Sequence, residues 1–174
     1  MGMKAATLVP VEEYLRTTYR PDRDYVDGEV QKRNLGEHDH SDLQSEFVHY
    51  FRLHRKRWRL HAVVEQRVQV SPTRFRIPDV CVVPSGGTHP PIYHEPPLIC
   101  IEVLSKKDRM GRVQERIDDY LQFGVRYVWL INPRNHRAWI YTPEGTREVK
   151  DGVLRTEDPA IEVVLAEVFA GLEE

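Results

Sequence analysis

Two acidic side chains stand alone in strongly apolar stretches of this sequence. Asp79 follows Pro78 within residues 77–83, and Glu102 lies within residues 98–104. Both stretches are short and rich in β-branched residues, which is typical of buried strands. A carboxylate is costly to bury there unless it is paired or binds a cation. The pattern therefore indicates a chemical role, although Asp79 also fits an acid that accepts turn hydrogen bonds at a strand entry.

Antiparallel pairing of the two stretches would bring these acids together. If Asp79 lies opposite Glu102, the same register places Cys81 opposite Cys100. Facing carboxylates in such a pair have Cβ atoms roughly 5 Å apart and repel each other unless a cation or a proton lies between them. Mg²⁺ prefers oxygen ligands and retains several waters, which suits hydrolysis of a phosphodiester. The acids therefore predict a divalent-cation site.

Such chemistry also needs a positive group near the phosphate. Helical spacing puts Arg116 on the same side of a helix as Val113 and Tyr120, so we expect Arg116 to point inward. Side chains directly after a strand more often face solvent. The other basic candidates after the second strand and on the next helix are Lys106, Lys107, Arg109 and Arg112.

A second basic group precedes the first acid. Arg52, Arg55 and Arg59 recur at helical spacing and predict a stripe that contacts nucleic-acid phosphates, with a solvated helix face as the equal alternative. The histidines lack the spacing of a zinc site, which disfavours zinc. Two facing thiols in a reducing compartment are more typical of small apolar side chains than of a redox pair.

The elements that must position these residues form a mixed α and β order. Asp27-Gly28 predicts a hairpin over residues 24–30. Ser41 is expected to cap a helix that runs to about Trp58, and alternation predicts one half-exposed strand over residues 61–70. The remaining predictions are two central strands at 77–83 and 98–104 joined by a loop at 84–97 that borders the cleft, a helix over 110–121 ended by Gly124, a strand at 127–131, a hairpin that includes 138–141, and a short terminal helix.

Composition narrows the class of protein. The length of 174 residues, with 40% hydrophobic and 30% charged residues, predicts a single globular domain over 1–174. The net charge of −2 means that any nucleic-acid site must be a local patch. The apolar runs are too short to span a bilayer, and residues 1–8 lack a secretory pattern, so we expect no membrane association and a cytoplasmic location.

Beyond these local patterns, the sequence resembles a known family. The matching features are Ile77-Pro78-Asp79-Val80, Ile101-Glu102-Val103-Leu104-Ser105, a helix ending in Tyr120 and Gly124-Val125, Val128-Trp129-Leu130, the Asp27-Gly28-Glu29 hairpin, and a polar segment with His40. Together, over about residues 25–141, they resemble the Uma-type restriction endonucleases of the PD-(D/E)XK nuclease superfamily. The resemblance implies an α/β (α+β mixed) fold with a restriction-endonuclease-like core, in which a mixed central β-sheet is flanked by helices and preceded by the hairpin.

The resemblance also implies a function and its residues. In such a family Asp79, Glu102 and the Val103 carbonyl bind Mg²⁺ or Mn²⁺, and the substrate is DNA. His40 is a weak further candidate on the same ground. The chain is therefore expected to be a metal-dependent endodeoxyribonuclease with Asp79, Glu102 and Arg116 as its catalytic residues. A homodimer is compatible with this expectation.

One position departs from the superfamily pattern. In the superfamily pattern a Lys stands two residues after the Glu, and here that position is Leu104. The Uma-type pattern resembles a relocation of this Lys to the next helix, where this chain has Arg116. A guanidinium stays protonated and clamps phosphate oxygens, but it does not act as a base. Lys106 or Lys107 could supply an amine instead. The departure leaves two alternatives open, a catalytically silent module that binds nucleic acid or protein, and a structural homo-oligomer.

Overall fold

A computed structural model describes residues 7–34 and 37–172 of the chain. The part of the predicted N-terminal segment before residue 7, and Gly36 of the polar stretch before the first long helix, lie outside the described residues. The helices are α1 (Val11–Arg16), α2 (His38–Leu53), α3 (Arg55–Trp58), α4 (Met110–Phe123) and α5 (Leu165–Ala170). The strands are β1 (Asp24–Val26), β2 (Glu29–Gln31), β3 (Leu60–Val64), β4 (Val68–Ser71), β5 (Arg74–Arg76), β6 (Val80–Pro84), β7 (Ile99–Val103), β8 (Tyr127–Asn132), β9 (Arg137–Thr142), β10 (Gly145–Glu148), β11 (Val153–Thr156) and β12 (Ile161–Val164).

The strands form three sheets. The largest has the order β10-β9-β8-β7-β6-β3, and it is mixed because β7 and β8 are parallel whereas its other neighbours are antiparallel. A smaller antiparallel sheet has the order β2-β1-β5-β4, and β11 pairs with β12. The predicted mixed central sheet flanked by helices is confirmed, with β8 and β7 in its middle and β6 between β7 and the edge strand β3.

Strand alternation divides the core of the large sheet into two layers. Phe47 of α2 packs in the cluster that contains Val80 and Ile101, whereas Ile117 of α4 packs in the cluster that contains Cys81 and Cys100. Cys81 lies opposite Cys100, so the predicted register is confirmed. Both thiols are free and buried, and burial raises the pKa of Cys81 to about 12. The two cysteines therefore serve as small apolar side chains, as in the apolar alternative above.

Helix α4 ends where the sequence predicts. Its buried residues Val113, Ile117 and Tyr120 recur at helical spacing, and Gly124 follows in the left-handed conformation with φ of 112°. A Cβ at Gly124 would also lie 3.1 Å from the ring of Pro96, so a larger residue would be strained by its backbone conformation and would crowd Pro96.

Three local predictions are wrong. Helix α2 begins at His38 without a side-chain cap, and Ser41 lies inside it. The helix ends at Leu53 and α3 forms a separate short turn, so no single helix reaches Trp58. The predicted strand over residues 61–70 is divided between two sheets. Glu65 takes a positive φ of 51°, which ends β3 and redirects the chain into β4.

The N-terminal hairpin is confirmed, and buried charges join it to α4. Its turn has positive φ at both central residues, Asp27 and Gly28, which suits a tight hairpin. The joining side chains, which we call the hairpin cluster, are Asp24, Asp27, Arg74, Arg76 and Asp119. None of the helices in the described part of the chain has the length and apolar character needed to span a membrane.

Candidate functional site

A cleft of about 370 Å³ opens where the hairpin, the strand pair β6–β7 and the start of α4 meet. Asp79 and Glu102 both line it, and each residue is only 4% exposed. Arg33, His40 and Arg116 line it as well. We call these five residues the cleft cluster. The two isolated acids of the sequence therefore share one cleft, as the predicted register requires.

Asp79 is held by three groups from different elements. Its Oδ1 lies 3.2 Å from Nη2 of Arg33, and its Oδ2 lies 3.2 Å from Nε2 of His40. Oδ2 also accepts a 2.8 Å hydrogen bond from the Val103 amide. Burial by itself would raise the pKa of Asp79, but His40, Arg33 and this amide together lower it. Asp79 is therefore a carboxylate at neutral pH.

The same contact favours the protonated form of His40. Burial disfavours its protonated form, but the hydrogen bond and the negative charge of Asp79 outweigh burial and raise the pKa of His40. His40 comes from the first turn of α2, and Gln44 one turn later donates to the Asp79 carbonyl at 3.3 Å. Helix α2 thus holds both the side chain and the backbone of Asp79.

Glu102 is held from α4. Its Oε1 accepts a 2.7 Å hydrogen bond from the Tyr120 hydroxyl, and its Oε2 lies 3.4 Å from Nη2 of Arg116. Burial is the largest influence on its pKa, Arg116 opposes it, and the like charge of Asp79 adds to it, which together raise the pKa of Glu102 to about 7. With a pKa of about 7, Glu102 is therefore only partly ionised at neutral pH.

The structure brings together most of the predicted site residues. Arg116 points inward as expected, and His40, Val103 and Lys107 also line the cleft. Lys106 does not line it, since its exposed side chain lies 3.6 Å from Glu37. Leu104, which replaces the usual Lys, is buried in the apolar cluster under α4.

Two other predicted parts of the site lie elsewhere. Arg52 lines a different cavity beside β3, and neither Arg55 nor Arg59 lines the cleft. These three residues do not form one helical stripe, because α2 ends before Arg55 and Arg59 takes a left-handed conformation with φ of 55°. The loop at residues 84–97 contributes no residue to the cleft, so the prediction that it borders the cleft is wrong.

Sequence reasoning missed Arg33, Asp108 and the role of Tyr120. Arg33 follows β2, far along the chain from Asp79, and no local pattern marks it. Asp108 accepts hydrogen bonds from the Ser105 amide and from the Asn34 side chain, both at 2.8 Å, and so joins the two sides of the cleft. The role of Tyr120 could have been inferred from helical spacing, because Tyr120 lies one helical turn after Arg116.

Comparison with known proteins identifies the family of this chain. The model of the Uma2 family, described as "Putative restriction endonuclease", matches residues 11–172. This chain belongs to the Uma2 family. No curated protein matches the chain. The resemblance identified from the sequence motifs is therefore confirmed over a longer range than those motifs covered.

A solved structure shares the Uma2-type fold of this chain. It is the crystal structure of "a putative nuclease belonging to DUF820" from Anabaena variabilis. The TM-score is 0.81 at 22% sequence identity, and the match covers 94% of this chain and 99% of that one. The likeness establishes the fold, and the Uma2 family together with that fold supports a nuclease function.

Proposed function

We propose that this Uma2 protein is a DNA endonuclease that depends on a divalent cation and hydrolyses phosphodiester bonds. In this proposal Asp79, Glu102 and the Val103 carbonyl hold Mg²⁺ or Mn²⁺, and Arg116 contacts the phosphate. The observation that carries the proposal is the presence of two buried carboxylates, one directly before β6 and one on β7, in one cleft beside Arg116.

The donor chemistry of the cleft fits such a cation. Two carboxylates and one carbonyl are hard oxygen ligands, few enough for Mg²⁺ to retain waters. Within the described residues no group of three or more His, Cys, Asp or Glu side chains is arranged as a metal site. Burial and the charge of Asp79 raise the pKa of Glu102, so a cation shared by the two acids would relieve an existing repulsion.

The side chains around the two acids support distinct roles. Arg33 and His40 hold Asp79 ionised, and Tyr120 orients one oxygen of Glu102. The Arg116 side chain is 20% exposed and lines the cleft, so part of its guanidinium is accessible to a phosphate oxygen. When bound, the cation supplies Lewis acidity and lowers the pKa of water. Arg116 would stabilise charge that develops on the phosphate but would not accept a proton.

A catalytically silent DNA-binding module is the second candidate. It is favoured by Leu104, whose buried apolar side chain cannot replace the missing amine. Lys107 is the lysine after β7 that lines the cleft, but it is exposed. A module of this kind would keep the charged cleft and bind DNA without cutting it.

Nicking of supercoiled plasmid in Mg²⁺ or Mn²⁺ tests the proposal. We expect cleavage by the natural chain and none above background for Asp79→Asn or Glu102→Gln, which keep the shape of each side chain. Asp118→Asn is the matched control, because Asp118 is an exposed acid of α4 outside the cleft. Thermal unfolding of each variant verifies the fold. Chelation by EDTA should abolish cleavage.

Purification of the natural chain and all variants in parallel, by the same procedure, controls for contaminating nucleases. If Asp79→Asn and Glu102→Gln cut as well as the natural chain, the nuclease activity does not come from this cleft and the proposal is wrong. If the natural chain binds duplex DNA but cuts none in either cation, the silent module is the correct function.

A further inference from the structure

The cleft has a basic margin that the proposed chemistry does not use. Resting on the DNA substrate of the proposed function, we propose that Lys32, Lys107, Arg109 and Arg112 form a binding site for the DNA phosphate backbone. We call these four residues the cleft rim. All four are exposed and line the same cleft as the two buried acids. Because the net charge of the chain is near neutral, a DNA-binding site must be a local basic patch, and the rim is such a patch.

The acids of the cleft do not neutralise the rim, because they already have partners. Asp24 is paired with Arg76, Asp79 with Arg33 and His40, and Glu102 with Arg116. The fourth acid in the lining, Asp108, accepts hydrogen bonds from Ser105 and Asn34.

No rim residue forms a salt bridge within residues 7–34 and 37–172. The inner charges of the cleft are therefore largely balanced while the outer ones are not. An excess of exposed positive charge at the mouth of a cleft attracts a polyanion and releases its counterions.

The rim has two sides, which suits a chain of phosphates. Lys32 follows β2 on the hairpin side, whereas Lys107, Arg109 and Arg112 come from the loop after β7 and the first turn of α4. Contacts from both sides would fix the position of the backbone over Asp79 and Glu102. Phosphate contacts set the register of a protein on DNA without reading its sequence. The rim is thus a positioning surface and does not determine sequence specificity.

The basic group of α2 and α3 offers a matched control. Arg52, Arg55 and Arg59 are exposed like the rim residues, and replacing all three changes the net charge by the same amount as replacing Lys107, Arg109 and Arg112. They do not line the cleft. Any difference between the two triple variants therefore reports position and excludes bulk charge as the cause.

Fluorescence anisotropy with a short duplex, in EDTA over a range of salt concentrations, measures binding without cleavage. For the triple variant Lys107→Gln, Arg109→Gln, Arg112→Gln we expect the slope of log affinity against log salt to fall by about 2 to 3, since each lost contact contributes ~0.9. Adding Lys32→Gln should lower it by about one more. The control triple variant at Arg52, Arg55 and Arg59 should keep the natural slope.

The rim proposal is wrong if the control variant loses as much slope as the rim variant, or if the natural chain binds no duplex at any salt concentration. A plasmid cleavage assay on the same variants separates this result from the endonuclease proposal. Rim-dependent binding without cleavage in Mg²⁺ or Mn²⁺ supports the rim and refutes the endonuclease. If the natural chain cleaves the plasmid and the rim variant binds DNA as tightly as the natural chain, the endonuclease proposal is supported and the rim proposal is wrong.

Discussion

The cleft cluster and the hairpin cluster both pair carboxylates with arginines, but they differ in what surrounds these groups. In the hairpin cluster, Arg76 is 2% exposed in its side chain, and it donates to Asp119 at 2.7 Å and to Asp24 at 3.2 Å. In the cleft cluster, the guanidiniums of Arg33 and Arg116 lie at 3.2 and 3.4 Å from their acids and remain partly exposed.

This difference distinguishes a cluster that stabilises the fold from a cluster that is suited to an activity. The hairpin cluster joins strands β1 and β5 to α4, and its charges are paired by other protein groups, as buried charges must be in a stable fold. The cleft cluster leaves Glu102 with a raised pKa and its two arginines at the edge of solvent. Removing a charge should therefore cost stability in the first cluster and activity in the second.

The largest expected effect is on stability in the hairpin cluster. Arg76→Met should lower the free energy of unfolding by about 3–5 kcal/mol, because it leaves Asp24 buried without a guanidinium partner and leaves Asp119 with Arg74 alone. Arg33→Met in the cleft should cost about 1–2 kcal/mol, since Asp79 keeps His40 and the Val103 amide. Urea denaturation measures both. Equal losses would show that the two clusters do not differ in this way.

The next effect is on activity in the cleft. Arg116→Met should reduce plasmid cleavage by about 10²–10³-fold, the usual loss when one donor to developing charge is removed. Arg116→Lys should lose less, because it keeps the positive charge. Cleavage rates at saturating Mg²⁺ provide the measurement, and thermal unfolding controls for the fold. Full activity of the Arg116→Met variant would show that Arg116 has no role in cleavage.

A smaller effect is expected for Tyr120, which contacts Glu102 from α4. Tyr120→Phe keeps the buried ring and removes the 2.7 Å hydrogen bond to Glu102. Loss of a group that orients a ligand weakens metal binding by about 10–100-fold. Calorimetric titration with Mn²⁺ tests this, with Tyr141→Phe as the control, because Tyr141 packs at the edge of the same apolar cluster. Identical Mn²⁺ affinities in the two variants would contradict the proposed role of Tyr120.

The smallest effect concerns Asp27 at the exposed end of the hairpin cluster. Hydrogen bonds from Arg74, and then from Thr73, lower the pKa of Asp27 below its ordinary value. A carboxyl whose pKa is lowered by folding stabilises the protein above its unfolded pKa, and that contribution is lost as the pH falls through the folded pKa. Arg74→Ala should return the Asp27 pKa towards its ordinary value in an NMR titration, and Thr73→Val should shift it less. An unchanged titration in Arg74→Ala would exclude Arg74 as the cause.

The sequence by itself determined the central strand pair and the residues it carries. Isolated acids in apolar, β-branched stretches identified Asp79 and Glu102, and the alternation of strand side chains gave the register that places Cys81 opposite Cys100. Helical spacing gave the inward direction of Arg116, and Asp27-Gly28 gave the hairpin. These are local rules of backbone geometry and periodicity, so a single chain can reveal them.

Only the tertiary structure decided which distant groups meet the two acids. Arg33 and His40 reach Asp79 through packing of the hairpin and α2 against the sheet, and Asn34 reaches Asp108 from the hairpin side in the same way. No spacing in the sequence encodes those meetings. The same holds for the break at Glu65, where the periodicity continues although the chain changes sheets. Periodicity reports the face on which a side chain lies, whereas long-range packing determines what lies opposite that face.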